Sequence, residues 1–347
     1  MNFTNYFSIL SLLQLISSIS QNVFDVSSNS KEILPIDHEI YSNLYTYAHL
    51  IDISYCISKV QHIEKPFKCN IECEDRFPNM TLVYQWYFDD SVTGYISTTY
   101  DNIFHYNRDS TKRKQQNKTI IIALRGTRSI FDSYADMRAD MVDFTSLGSV
   151  LKPCTGCKVH RGFYNYFQRT REIIHQYVMQ ELKGAQLGIE NYELVILGHS
   201  LGGSVAILLA LFYLDLGFEK LTAVTMGQPL VGNREFVDWA DDALGSKHKP
   251  RHGDFKRKFL RIIHKEDVVT IIPKRGNFLP YQPFDNQIYL NCSESDTRPS
   301  PDQVFDCRGA SNEQCIEGDF PNYLKSGNDY LQIHITYLRR MGLCGMI

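Results

Sequence analysis

Apolar residues recur along this chain in two registers, and their succession sets out the elements. Ile40, Leu44, Tyr47, Ala48 and Ile51 fall at helical spacing, which predicts one long amphipathic helix over residues 36–58 that ends near Cys56. Residues 81–88 and 94–99 read as strands joined by the hairpin signal Asp89-Asp90-Ser91-Val92-Thr93, and 119–124 is a β-branched run fit for a central strand. The polar, basic stretch 108–118 before that run reads as a solvated loop. Beyond it, 163–182 and 204–216 read as helices, and 192–198, 221–226 and 259–264 as strands. Alternation of this kind predicts an α/β chain with a mostly parallel sheet covered by helices on both faces. No repeat or linker divides residues 21–347, which are expected to form one domain.

The first twenty residues differ from the rest. Residues 6–19 are apolar or small and carry no charge, and Ser18-Ile19-Ser20 is a small-x-small cleavage pattern, so residues 1–20 read as a secretory signal peptide. Fourteen residues are too few to span a bilayer comfortably, and no later segment reads as transmembrane. Export agrees with three glycosylation acceptor triplets, at Asn79, Asn117 and Asn291. It agrees also with the nine cysteines. Cys69/Cys73, Cys154/Cys157 and Cys307/Cys315 are close pairs that read as small loop staples, and Cys56 with Cys344 as one long bridge, leaving Cys292 unpaired. The rival reading of the first two pairs, a zinc site, lacks a histidine or second close pair at ligand spacing, so no metal is expected. A net charge of −3 shows no basic excess for nucleic acid, and 43% hydrophobic content suffices for one large core.

Residues 192–203 carry the chemistry. Leu194–Leu197 is an apolar strand run, Gly198-His199-Ser200-Leu201-Gly202 places a glycine two positions either side of a serine, and a helix former follows. That context is a nucleophile elbow, a turn so sharp that only small residues avoid a clash, and it lifts Ser200 above the carboxyl edge of the sheet. A serine hydroxyl needs a base in reach and a carboxylate to orient that base. In the order serine, acid, histidine, His334 is the only histidine after residue 264 and is the expected base. His199 should point away from Ser200 and serve packing. Asp267 follows the strand 259–264 and opens the apolar run 268–273, so it is favoured as the acid over Glu266. The oxyanion donors are expected to be the Leu201 amide and, from the loop after strand 119–124, the amide and hydroxyl of Thr127 beside Gly126.

These residues resemble the fungal class 3 lipases, and most closely the secreted triacylglycerol lipases of yeasts and filamentous fungi. The markers are Leu124-Arg125-Gly126-Thr127, Val159-His160-Arg161-Gly162-Phe163, Gly198-His199-Ser200-Leu201-Gly202, Gly227-Gln228-Pro229-Leu230-Val231-Gly232, Asp267 before its apolar run, and His334 three residues before Tyr337. The cysteine layout looks like the yeast secreted branch, unpaired cysteine included. The resemblance implies an α/β-hydrolase fold and a helical lid over about residues 129–143. Ile130, Phe131, Tyr134 and Met137 then share one helical face, at about 1.5 to 3 kcal/mol for each such side chain fully buried, and a lipid surface would accept them. Asp136 matches the family aspartate that supports the oxyanion threonine, and Ser133 stands where the lid commonly has tryptophan. The implied activity is hydrolysis of long-chain acylglycerol esters at a lipid–water interface through an acyl-enzyme, by a monomer without cofactor. The alternatives are an esterase or phospholipase on the same scaffold, and a non-catalytic secreted lipid-binding relative.

Overall fold

The apolar runs become strands and helices of a three-layer arrangement. The computed structural model describes residues 33–88, 93–104, 117–127, 140–188, 190–246, 257–273, 281–308, 315, 327–342 and 344. The segment expected to be a signal peptide, the lid residues Ile130, Phe131, Tyr134, Asp136 and Met137, and the hairpin tip 89–92 lie outside them.

Strand β1 (Ile33–Pro35) leads into helix α1 (His38–Ile53), whose start is set by Asp37, a carboxylate that accepts from the Glu39 N–H at 2.8 Å. The chain continues through β2 (Thr81–Trp86), β3 (Thr93–Thr99), β4 (Lys118–Arg125), β5 (Met141–Asp143), β6 (Lys158–His160) and helix α2 (Arg161–Gln186). Then come β7 (Tyr192–His199), α3 (Leu201–Asp215), β8 (Leu221–Met226), β9 (Gly232–Asn233), α4 (Arg234–Leu244) and β10 (Phe259–His264). Strands β11 (Tyr281–Gln282), β12 (Asn286–Leu290) and β13 (Val304–Arg308) and helix α5 (Gly327–Ile335) complete the described elements.

Among the described residues the main sheet runs β1-β13-β12-β10-β8-β7-β4-β3-β2, and a small sheet runs β11-β9-β6-β5. Strands β4, β7, β8, β10 and β12 are mutually parallel, as the alternation of elements predicts, whereas β2 and β3 on one flank and β13 and β1 on the other pair antiparallel. Side chains alternate across the parallel strands. Ile120, Ile122, Leu124, Leu194 and Ile196 share a cluster with α2, α3 and α4, while Ile121, Ala123, Val195 and Leu197 face α1. Helix α3 is apolar on every side and buried everywhere but at Phe212, which suits a helix held between the sheet and α2. Helix α2 buries only Phe163, Phe167, Thr170, Ile174, Val178 and Leu182, a single stripe with polar residues opposite.

The helix expected over 36–58 ends at Ile53, and a tighter 3₁₀ turn, Ser54–Cys56, follows it. Disulfides join Cys56 to Cys344, Cys69 to Cys73, Cys154 to Cys157 and Cys307 to Cys315. Cys292 is free and buried, its Sγ 3.3 Å from His264 Nε2, and burial pushes its thiol up to about 12. Asn79, Asn117 and Asn291 are all exposed.

Candidate active site

Four parallel strands end at one edge of the sheet, and each end delivers a different part of the site. Strand β4 pairs with β7 so that Leu124 lies opposite Gly198. The residues just beyond the two strands, Gly126 with Thr127 after β4 and Ser200 after β7, are therefore neighbours in space. How close they come is shown by Gly126: a Cβ there would sit 2.8 Å from the Ser200 Cβ and 3.1 Å from the Leu201 nitrogen. Only glycine lets the loop after β4 press against the serine and the first turn of α3. Thr127 and Leu201 are both buried in this contact.

Ser200 itself is buried and has φ 56° and ψ −130°, a conformation that L side chains rarely adopt. The surrounding chain over-determines it. The Ser200 N–H donates to the Met226 carbonyl at 2.9 Å, and its own carbonyl accepts from Gly203 at 2.9 Å. A Cβ on Gly198 would meet the Gly202 carbonyl oxygen at 2.3 Å, and one on Gly202 would meet the carbonyl oxygens of Leu124 and Arg125 at 2.7 Å. Both glycines of the elbow are thus required by backbone packed on backbone. The first amides of α3 sit beside the serine, where the positive end of the helix dipole favours a developing anion.

The acid and the histidine meet at the same edge. Asp267 follows β10 and caps the 3₁₀ turn Val268–Ile271, its Oδ1 accepting from the Val269 N–H at 3.0 Å. His334, on α5, places Nδ1 2.8 Å from Asp267 Oδ2 and 3.0 Å from Oδ1. Of the two adjacent acids considered from sequence, Asp267 meets His334, and Glu266 precedes it with φ 63°. The Tyr337 hydroxyl donates to Asp267 Oδ2 at 2.5 Å and accepts from the His264 N–H at 3.1 Å. Burial alone would push the Asp267 carboxyl up. The neighbouring His334, by charge and hydrogen bond, with Tyr337 and the Val269 N–H, outweighs it and holds the carboxyl below its ordinary value. The far ring nitrogen of His334, Nε2, is buried with no hydrogen-bond partner among the described residues. A nitrogen in that condition is available to take a proton from a group brought to it.

Two supports of the histidine were not legible in the chain. Gly227, at φ 61°, leaves the space that His334 fills: a Cβ there would lie 2.9 Å from its Cε1. His199, read from sequence as a packing residue, does more than pack. Its Nε2–H donates to the His334 carbonyl at 2.9 Å while its Nδ1 accepts from the Tyr55 hydroxyl at 2.5 Å. Burial, then the charge of His334, pushes His199 down to about 3, so it stays neutral, and the His334 carbonyl, which can only accept, fixes its proton on Nε2. Gly227 was named from sequence only as the start of the marker Gly227–Gly232 just past strand 221–226, and its place beside the histidine is decided by the fold. Tyr55 carried no signal, because 145 positions separate it from Ser200 and only the fold brings it near.

A family model described as Lipase (class 3) matches residues 121–277, which hold the loop after β4, the turn at Ser200 and Asp267. The secreted mono- and diacylglycerol lipase 2 of Gibberella zeae is 31% identical over 296 residues, covering 80% of this chain and 68% of its own. Lipase A of Sodiomyces alcalophilus is 28% identical over 302 residues, covering 81% and 69%. The crystal structure of the Lip2 lipase of Yarrowia lipolytica shares the fold with a TM-score of 0.71 at 28% identity, covering 91% of this chain and 99% of that one. Elbow, strand-end acid and late histidine thus stand on a matching fold and in a matching sequence, and the chain belongs to the fungal class 3 lipase family.

Proposed function

We propose that this chain is a secreted acylglycerol lipase in which Ser200 is the nucleophile, His334 the base and Asp267 the residue that orients it. The observation that carries the reading is the buried pair in which His334 Nδ1 is fixed on both Asp267 oxygens while Nε2 has no hydrogen-bond partner among the described residues. Ser200 Oγ attacks the ester carbonyl carbon as Nε2 takes its proton. Asp267 keeps its charge and stabilises the imidazolium that forms. The amide of Leu201 and the amide and hydroxyl of Thr127 hold the tetrahedral oxyanion, each donor contributing about 3 kcal/mol. Collapse expels the glyceride alcohol with the proton from His334, and water releases the fatty acid from the acyl-enzyme by the same steps. No cofactor enters this chemistry. The segment after Thr127 acts as a lid, with Ile130, Phe131, Tyr134 and Met137 offered to a lipid surface and Asp136 supporting Thr127.

Export through a signal peptide over residues 1–20 is supported by the disulfides and by a relative named as secreted. No helix among the described residues is long and apolar enough to cross a membrane. A second reading, hydrolysis confined to partial glycerides, is favoured by the mono- and diacylglycerol lipase among the relatives.

The test is a hydrolysis profile on triolein, diolein and monoolein emulsions and on a soluble short-chain ester, below and above solubility. We expect faster turnover above the solubility limit, and a rate indifferent to the emulsion rejects the lipase assignment in favour of an esterase. S200A should abolish hydrolysis and labelling by a fluorophosphonate, and T127A should lower kcat about 100-fold.

A further inference from the structure

We infer that Arg261 is a positioning residue for Asp267 and His334: its buried guanidinium ties the loop that carries the acid to the loop that seats the histidine, and supplies the positive charge facing that pair. The inference rests on the catalytic reading of Asp267 and His334 given above.

Arg261 lies in the middle of β10 and is 1% exposed. Removing a guanidinium from water costs several kcal/mol unless its donors find fixed acceptors. Here Nη2 donates to the Thr270 carbonyl at 2.6 Å and to the Gln228 carbonyl at 2.8 Å, and Nη1 donates to Gln287 Oε1 at 2.5 Å. Thr270 belongs to the 3₁₀ turn that Asp267 caps, and its hydroxyl donates back to the Asp267 carbonyl at 2.7 Å. Gln228 follows Gly227, whose missing side chain admits the His334 ring. One planar fork therefore sets the spacing between the acid's turn and the histidine's seat. An ammonium on a flexible stem cannot reproduce that geometry.

All three acceptors are neutral, and among the described residues Arg261 makes no ion pair, so its charge is not spent on an adjacent carboxylate. Burial pushes the guanidinium down to about 10, with Tyr337, Asp267 and Asp241 acting against that fall, and it stays charged at neutral pH. Among the described residues the titratable groups around Arg261 and the Asp267–His334 pair are Tyr337 from the segment after α5, neutral His199 from the elbow, His264 at the end of β10, Glu266 in the turn and, beside Arg261, Asp241 from α4. Among them Arg261 is a cation whose attraction to Asp267 favours the ionised carboxylate.

The test is the rate of Ser200 labelling by a soluble fluorophosphonate from pH 4.5 to 9, with thermal melts, for wild type, R261M and R261K. Labelling avoids the lipid surface and reports the unprotonated base. For R261M the acid limb should move up by about one pH unit. For R261K the limb should stay at its wild-type position while the plateau rate falls about tenfold, because charge is kept and the fork is lost. An unmoved limb in R261M overturns the charge role, and an R261K variant at full plateau rate overturns the clamp. Should R261M not fold, R261K still decides. Wild-type protein that is not labelled at Ser200 sinks the catalytic reading and this inference with it, whereas labelled wild type with unchanged variants sinks the inference alone.

Discussion

At the scale of single residues, the site is built from groups whose ordinary behaviour has been shifted by burial. Asp267 stays ionised inside the protein because His334, Tyr337 and a backbone amide all favour its charged form. His199 is held neutral in the same region, and that has a consequence for stability. The unfolded chain protonates this histidine near 6.5, whereas the folded protein keeps it neutral down to about 3. Between those values the unfolded state binds more protons, so the stability due to neutral His199 is whole above about 6.5 and is lost as pH falls towards 3. The slope is at most about 1.4 kcal/mol per pH unit for one proton. His49, pushed down to about 4 mainly by burial, acts in part of the same window. Urea unfolding at pH 7 and 4.5 should therefore show a smaller acid loss in H199Q than in wild type, by about 2 kcal/mol. Equal losses in the two proteins would sink this account. The chain displayed His199, but its role as a donor to the His334 carbonyl depends on a fold that brings together residues 135 positions apart.

At the scale of elements, strand–turn–helix continuity around Ser200 was legible because it is local. The β-branched and apolar run of β7, the two glycines and the apolar α3 are consecutive, so periodicity and turn chemistry identify them without tertiary information. What the chain did not show is why Gly202 must be glycine: a side chain there would strike the carbonyls of Leu124 and Arg125 on another strand. G202A should accordingly cost several kcal/mol in a denaturant titration, since neither backbone neighbour can yield, and fluorophosphonate labelling should be lost with it. A variant of wild-type stability would show that β4 and α3 are not packed as described.

Other elements escaped for a physical reason. Strand β12 begins Asn286-Gln287, polar residues that are buried because they serve Phe259 and Arg261, so no apolar run announces it. Helix α4 was missed although its signals are present. Asn233 caps it by accepting from the Phe236 N–H at 3.1 Å, and Gly245 ends it at φ 68°.

At the scale of the molecule, the placement of His334 depends on contacts between distant parts of the chain. The Cys56–Cys344 bridge closes a sequence separation of 288, and Asp52 on α1 accepts from Arg339 Nε and from the Gly342 N–H, both at 2.8 Å. Together they hold the segment after α5 against α1, one residue from Tyr55 and a few from Tyr337. Replacing both cysteines, as C56S with C344S, should lower stability by about 2 to 5 kcal/mol. It should also slow fluorophosphonate labelling under conditions where the protein remains folded, because Tyr55 and Tyr337 lose a common anchor. A folded double variant with the wild-type labelling rate would separate this bridge from the site.

The sequence by itself determined the strand, glycines and helix around Ser200, the strand that precedes Asp267, the place of His334 as the one histidine after residue 264, and the family, because each is written in a short window or in the order of residues. Tertiary structure alone decided what holds them. Tyr337 on the acid, Tyr55 and His199 behind the histidine, Gly227 beside it and Arg261 between the two loops are pairings across tens to hundreds of residues. Pairings of that kind are set by which strand ends the sheet brings together, and no local pattern of hydrophobic and polar positions encodes them.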